Sequence, residues 1–169
     1  MLQEFGCKVA LRSPAHITLV PPFNMPKERE SELLILLENF SSAQPPLEIP
    51  LKDFDCFRPR VIYVNVVQST ALNVLQKRVT DLLIETGFPI KQDTRPFHPH
   101  LTIANRDLDR KDFGRAWEHF KNIKYSTAFS ADAIRLLRSG VGGWEILPAS
   151  TTERPASEDQ GEQRSDHNT

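Results

Sequence analysis

The sequence predicts an α+β fold of two similar, pseudo-symmetric lobes, each an antiparallel sheet with helices packed outside it. Three observations predict this class: helical and strand patterns alternate, the same order of elements occurs twice, and each copy contains a strand with a His-x-Thr pair. The chain has 169 residues, 39% of them hydrophobic and 25% charged, which suits one soluble domain with its own core. We expect that domain to span residues 1–149.

The first half of the chain contains a helix followed by two strands. The segment "PKERESELLILLENF" begins with a proline suited to a first helical turn, so a helix is expected near 27–40. "PLEIPLKDF" alternates apolar residues and "RVIYVNVV" is rich in β-branched and aromatic residues, so strands are expected near 46–56 and 60–67. The apolar face of the helix consists of Leu33, Leu34, Leu37 and Phe40.

A second helix is expected over residues 70–86, with Ser69 or Thr70 as its N-cap and Gly87 as its stop. A third is expected from about Asp109 to Asn122, because Phe113, Trp117 and Phe120 lie one helical turn apart. A strand near 127–138, a turn at 140–143 and "WEIL" suggest a closing hairpin. The second helix has its apolar positions at Leu72, Leu75, Val79, Leu82 and Leu83.

The repeat relates two histidine strands. His16 and His100 lie 84 positions apart (100 minus 16), and the helices that follow them begin 82 positions apart (109 minus 27). Only the second copy has a strand and a helix, residues 60–86, ahead of its histidine. We therefore expect this chain to lack an N-terminal strand and most of a helix before His16.

Composition excludes several classes of function. A formal net charge of −1 provides no broad attraction for a polyanion, and no apolar run approaches the roughly 20 residues of a transmembrane helix. We expect a cytoplasmic monomer without a membrane partner. Residues 150–169 contain no aromatic or large aliphatic side chain, so a disordered tail is expected there.

The candidate catalytic residues lie in the two His-x-Thr strands, "HITL" at His16 and "HLTI" at His100. Residues i and i+2 of a strand share a face, so each histidine projects with its threonine, Thr18 or Thr102. Two imidazoles beside one phosphate supply a general base and a general acid without a metal or cofactor, since the ordinary pKa of histidine is about 6.5. Threonine hydroxyls can donate to the phosphate oxygens.

These motifs resemble those of the two-histidine (2H) phosphoesterase superfamily, and within it the LigT-like 2'-5' RNA ligase and cyclic phosphodiesterase proteins. "LRSPAHITLVPPF", "RPRVIYVNV" and "RPFHPHLTIA" are similar to that family's segments in order. The resemblance implies a central cleft lined by both motifs and action on 2',3'-cyclic phosphates or 2'-5' links of RNA ends or small nucleotides. It also implies that His16 is the general acid and His100 the general base, with Thr18 and Thr102 holding the phosphate.

Other side chains near the motifs are weaker candidates. Some relatives are expected to contact phosphate through an arginine after the second motif, where Arg106 is nearest although Asn105 intervenes. His98 shares strand parity with His100, but Pro99 disturbs the strand. Phenylalanines can stack on bases, although core packing is expected for at least two of the three near the motifs. They are Phe23, Phe57 and Phe97.

Two other functions remain open. A metal hydrolase would use His16, His98 and His100, although no clustered carboxylates support it. A non-catalytic binder of RNA ends or nucleotides would keep the cleft without turnover, and a chain that lacks its first strand, as expected above, would favour this alternative.

Overall fold

The computed structural model describes residues 14–91, 95–105, 108–140 and 143–147 and confirms the α+β class with antiparallel sheets. Residues 150–169, where a disordered tail is predicted, lie outside the described residues. The helices are α1 (Glu30–Ser42), which a short 3₁₀ turn at Lys27–Arg29 precedes, α2 (Thr70–Glu85) and α3 (Arg110–Phe120). The strands are β1 (Leu47–Phe57), β2 (Val61–Val66), β3 (His100–Ala104), β4 (Ser126–Ala131), β5 (Leu137–Gly140) and β6 (Gly143–Ile146).

The larger sheet has the strand order β3-β2-β1-β4, and all its neighbouring strands are antiparallel. Asp55 of β1 lies opposite Tyr63 of β2, which in turn lies opposite Thr102 of β3. His100 lies opposite Asn65 in the next row. Because alternate strand residues share a face, these polar residues occupy one face of the sheet.

The opposite face of this sheet carries the core. Residues of β1 and β2 pack there with Leu72, at the start of α2, and residues of β2 and β3 pack with α3. Farther along, α2 also packs against α1 through Val79 and Leu83, which meet Leu33 and Leu37. The helices therefore cover one face of the sheet. His100 and Thr102 lie on the other face.

The ends of α2 and α3 follow local capping rules. The Ser69 hydroxyl accepts a hydrogen bond from the Leu72 backbone N–H at 3.1 Å, so Ser69 and not Thr70 is the N-cap. After α2, Gly87 has a φ of +76°, the left-handed conformation that glycine adopts without strain. The Asp109 side chain caps α3 by accepting from the Lys111 backbone N–H.

Two strand predictions were wrong. The segment around His16 is not a strand: residues 14–18 form neither helix nor strand and have no ladder partner among the described residues. The predicted strand near 127–138 is two strands in two sheets, because β4 pairs with β1 whereas β5 pairs with β6. The closing hairpin is confirmed, with Gly140 opposite Gly143. The two described sheets have four strands and two strands, so they are unequal.

Among the described residues, no helix combines the length and apolar character that crossing a membrane requires.

Candidate active site

His100 opens β3, and its imidazole has a defined orientation. Its Nδ1 lies 2.8 Å from the backbone carbonyl oxygen of His98. A carbonyl oxygen can only accept, so Nδ1 carries the proton and donates it. The Nε2 atom is therefore the nitrogen of His100 that is left to exchange a proton with a ligand.

His16 has the same arrangement, although it does not lie in a strand. Its Nδ1 donates to the backbone carbonyl oxygen of Pro14 at 2.7 Å, again two residues earlier in the chain. His16 and Thr18 are both exposed, whereas His100 and Thr102 are half-buried. Both motifs thus hold the histidine through Nδ1 and leave Nε2 outside that hydrogen bond.

The two motif segments are anchored in one core cluster. The buried members of this cluster belong to β1, β2 and the start of α2. Ile17, between His16 and Thr18, packs against it, and so does Leu101, between His100 and Thr102. The apolar residue inside each motif therefore points into the same interior.

Two glutamine side chains tie the motif segments to α2 and to the residues just before it. Gln76 of α2 donates to the carbonyl oxygen of Leu19 at 3.3 Å, and Gln68 donates to that of Phe97 at 2.8 Å. The first acceptor, Leu19, is the last residue of "HITL", and the second, Phe97, lies three residues before His100. The same region of the chain therefore holds both segments.

A model of the 2'-5' RNA ligase superfamily matches residues 2–143, which is most of the chain. The protein belongs to this superfamily. The resemblance expected from the two His-x-Thr motifs is thereby confirmed.

Among curated relatives of this superfamily member, an RNA 2',3'-cyclic phosphodiesterase of Geobacillus stearothermophilus is 28% identical over 131 residues, 75% of this chain and 40% of the relative. A protein of the same name from Bacillus subtilis (strain 168) is 26% identical over 95 residues, 54% of this chain and 51% of the relative. The chain thus spans about half or less of these relatives' lengths.

The fold of this superfamily member is also similar to that of a solved structure. The crystal structure of TT0787 of Thermus thermophilus matches with a TM-score of 0.62 and 18% identity, covering 79% of this chain and 75% of the other. The similarity supports the α+β fold described above.

Four rings cluster on the polar face of the larger sheet in this superfamily member. Tyr63 contacts the rings of Phe57 at 4.5 Å, His100 at 5.0 Å and His98 at 5.7 Å between centroids. Phe57 also meets His100 edge-on, at 5.0 Å and 88°. Tyr63 is 1% exposed whereas Phe57 is 40% exposed, so the Phe57 ring is accessible to solvent next to His100.

The Tyr63 phenol is hydrogen-bonded inside this cluster. Its hydroxyl lies 3.0 Å from His98 Nε2. Burial, together with the charge and hydrogen bond of Asp55, raises the pKa of Tyr63 to about 12. Sequence reasoning missed Tyr63, because the partner that its buried hydroxyl needs lies 35 residues away in the chain, at His98.

The weaker sequence candidates have different positions. Phe23 packs against the cluster between α1 and α2, and its ring meets Phe88 with centroids 6.3 Å apart. Phe97 packs against the core cluster under β1 and β2. These contacts indicate core roles, so substrate contact by either residue stays a prediction. Arg106 lies outside the described residues.

Metal ligands were a further possibility from the sequence. Over the part of the chain that the structure describes, no group of three or more His, Cys, Asp or Glu side chains is placed to hold a metal ion. The set of His16, His98 and His100 is therefore not assembled as a metal centre in this structure.

Proposed function

We propose that this protein is a metal-independent phosphoesterase that acts on 2',3'-cyclic phosphates of RNA ends or nucleotides, or on 2'-5' phosphodiester bonds. The observation that best supports this proposal is the matched orientation of the two motif histidines. Each donates from Nδ1 to a carbonyl oxygen two residues earlier, at 2.7 Å for His16 and 2.8 Å for His100. Each ring thereby keeps Nε2 for proton exchange with a substrate.

In the proposed hydrolysis, neutral His100 accepts a proton at Nε2 from the attacking water. The water oxygen forms a bond to phosphorus while the bond from phosphorus to one ribose oxygen breaks. Protonated His16 gives its Nε2 proton to that departing oxygen. The products are a phosphomonoester and a free ribose hydroxyl, and the two histidines exchange protonation states before the next turnover.

The threonines have the supporting role in this scheme. Thr18 and Thr102 each follow their histidine by two positions, and Thr102 lies on the same sheet face as His100. Their hydroxyls donate to non-bridging phosphate oxygens, where negative charge develops in the transition state. Among the described residues, Phe57 is well placed to stack on a base, because it is 40% exposed and its ring contacts that of His100.

The names of the curated relatives support the cyclic-phosphate substrate. Two of them are called RNA 2',3'-cyclic phosphodiesterase. Cyclic phosphates are therefore the first substrates to test, followed by 2'-5' oligonucleotides.

The direct test compares His16→Ala and His100→Ala with a matched His119→Ala control. His119 lies in α3 with its ring against Phe120 and has no proposed role. Each motif substitution should lower kcat on 2',3'-cyclic AMP by about a hundredfold or more, the usual contribution of general acid or base catalysis. The control should retain wild-type kcat.

The same assay separates the alternatives. EDTA should leave wild-type turnover unchanged, and a loss that zinc restores would favour the metal hydrolase. A folded wild-type protein that binds cyclic nucleotide without turnover would instead be the non-catalytic binder. Wild-type turnover in either motif variant would contradict the two-histidine mechanism.

A further inference from the structure

We propose that Tyr63 is a positioning residue for His100 and acts through His98. The connection runs from the Tyr63 hydroxyl to the His98 ring, and from the His98 backbone carbonyl to Nδ1 of His100. This inference rests on the proposed function, since it assigns Tyr63 and His98 to the support of the proposed general base. The buried Tyr63 phenol has no part in the acid-base scheme, and this proposal assigns it a role.

The first link is the hydrogen bond between the Tyr63 hydroxyl and His98 Nε2, at 3.0 Å. Burial and the negative charge of Asp55 keep the phenol neutral, so the Tyr63 hydroxyl retains its proton. Either partner can donate in this bond, because a hydroxyl and an imidazole nitrogen can each donate or accept. Asp55 lies directly opposite Tyr63 in the sheet, which places the two side chains on the same face.

The second link runs through the backbone. His98 is exposed, yet its carbonyl oxygen accepts the Nδ1 proton of His100 at 2.8 Å. Fixing the His98 ring on Tyr63 limits rotation of the residue that carries this carbonyl. The orientation of the carbonyl determines which nitrogen of His100 holds the proton, and hence whether Nε2 is free to act as a base.

The two motifs restrain the accepting carbonyl in different ways. The acceptor for His16 belongs to Pro14, whose ring fixes its own φ. The acceptor for His100 belongs to His98, whose backbone is restricted by the buried Pro99 that follows it. We expect the hydrogen bond with Tyr63 to add to this restriction by holding the His98 side chain.

The first experiment uses Tyr63→Phe, which keeps the ring packing and removes only the hydroxyl, with Tyr125→Phe as the matched control. Tyr125 is 39% exposed and contacts Phe54, away from the ring cluster. In the full chain labelled with ¹⁵N-histidine, the ring nitrogen shifts report the tautomer of each imidazole. We expect His100 to be mainly Nδ1-protonated in the wild type and the control, and to become a mixture of tautomers in Tyr63→Phe.

The second experiment asks whether the two residues act in series. His98→Ala keeps the backbone carbonyl and removes the ring that Tyr63 holds. Tyr63→Phe and His98→Ala should each lower kcat on 2',3'-cyclic AMP about three- to tenfold, the usual effect of one lost hydrogen bond. The double variant should be no slower than either single variant, because both substitutions break one connection.

The readouts distinguish failure of this inference from failure of the proposed function. A His100 tautomer that is unchanged in both Tyr63→Phe and His98→Ala would overturn the positioning role, whatever the turnover. Multiplicative losses of kcat in the double variant would also overturn it. A wild-type protein without turnover would remove the proposed function, and the tautomer measurement would still decide the role of Tyr63.

Discussion

A phenol that is 1% exposed must satisfy its hydroxyl within the protein, and Tyr63 does so with His98 at 3.0 Å. The neutral phenol fits this environment, whereas a phenolate would be desolvated and would face the negative charge of Asp55. Both effects raise the pKa of Tyr63. At neutral pH the Tyr63 side chain is therefore a neutral hydroxyl.

The raised pKa can be measured in Tyr125→Phe, which retains Tyr63 as its single tyrosine. Tyrosinate absorbance in this variant should rise with a midpoint near pH 12, as the pKa of Tyr63 is about 12 in the folded protein. An unfolded tyrosine titrates near pH 10. A midpoint near pH 10 while circular dichroism still shows the fold would contradict the described environment of Tyr63.

The same pKa has a consequence for stability. Because the folded pKa of about 12 exceeds the unfolded value, the stabilisation from neutral Tyr63 is complete below about pH 10 and is lost as the pH rises towards 12. The free energy of unfolding of Tyr125→Phe should therefore fall more steeply over this range than that of the Tyr63→Phe, Tyr125→Phe double variant. Urea unfolding at several alkaline pH values measures the two slopes, and equal slopes would contradict the prediction.

The motif residues and Tyr63 differ in how visible they are in the sequence. His16 and His100 could be singled out because each is a polar interruption of an apolar run, and the interruption occurs twice. Tyr63 looks like an ordinary strand residue in "RVIYVNVV". Its partners lie on β1 and just before β3, so only the strand pairing reveals them.

At the scale of elements, the helices depend on local signals. Ser69 and Thr70 were equivalent N-cap candidates, and the structure shows that Ser69 accepts the bond from the Leu72 N–H. Ser69→Ala should lower the free energy of unfolding by about 1 kcal/mol, because that backbone N–H loses its partner. Thr70→Ala is the matched control, and thermal or urea unfolding compares them. A larger loss in Thr70→Ala would show that the cap is misassigned.

Strands were harder to predict because their partners are distant in sequence. The apolar pattern continues from Phe129 through Ile134 to Leu137, yet β4 pairs with β1 and β5 pairs with β6. Ile17 packs against the core while His16 and Thr18 are exposed, as in an alternating strand, but a strand also requires a ladder partner. The signals that predict a helix lie within one segment of the chain. The sheet to which a strand belongs depends on a partner strand that is distant in sequence.

At the scale of the whole molecule, the repeat predicted two similar lobes, and the structure places parts of both halves against one core cluster. Ile17 and Leu101, from the centres of the two motifs, pack against the same cluster of β1, β2 and α2 residues. The repeat did not predict unequal sheets, since the pairing of β4 with β1 extends the larger sheet to four strands. The central proposal is that the two histidines, anchored on this common core, meet one phosphate.

That proposal can be tested by titrating the ¹⁵N-histidine-labelled protein with a nucleoside monophosphate, using 2'-AMP and 3'-AMP in turn. For at least one of them, the Nε2 signals of His16 and His100 should shift together and give one shared Kd, while the ring signals of His119 stay in place. Responses of His16 and His100 with different Kd values, or a response of only one of them, would show that the two histidines do not share a phosphate site.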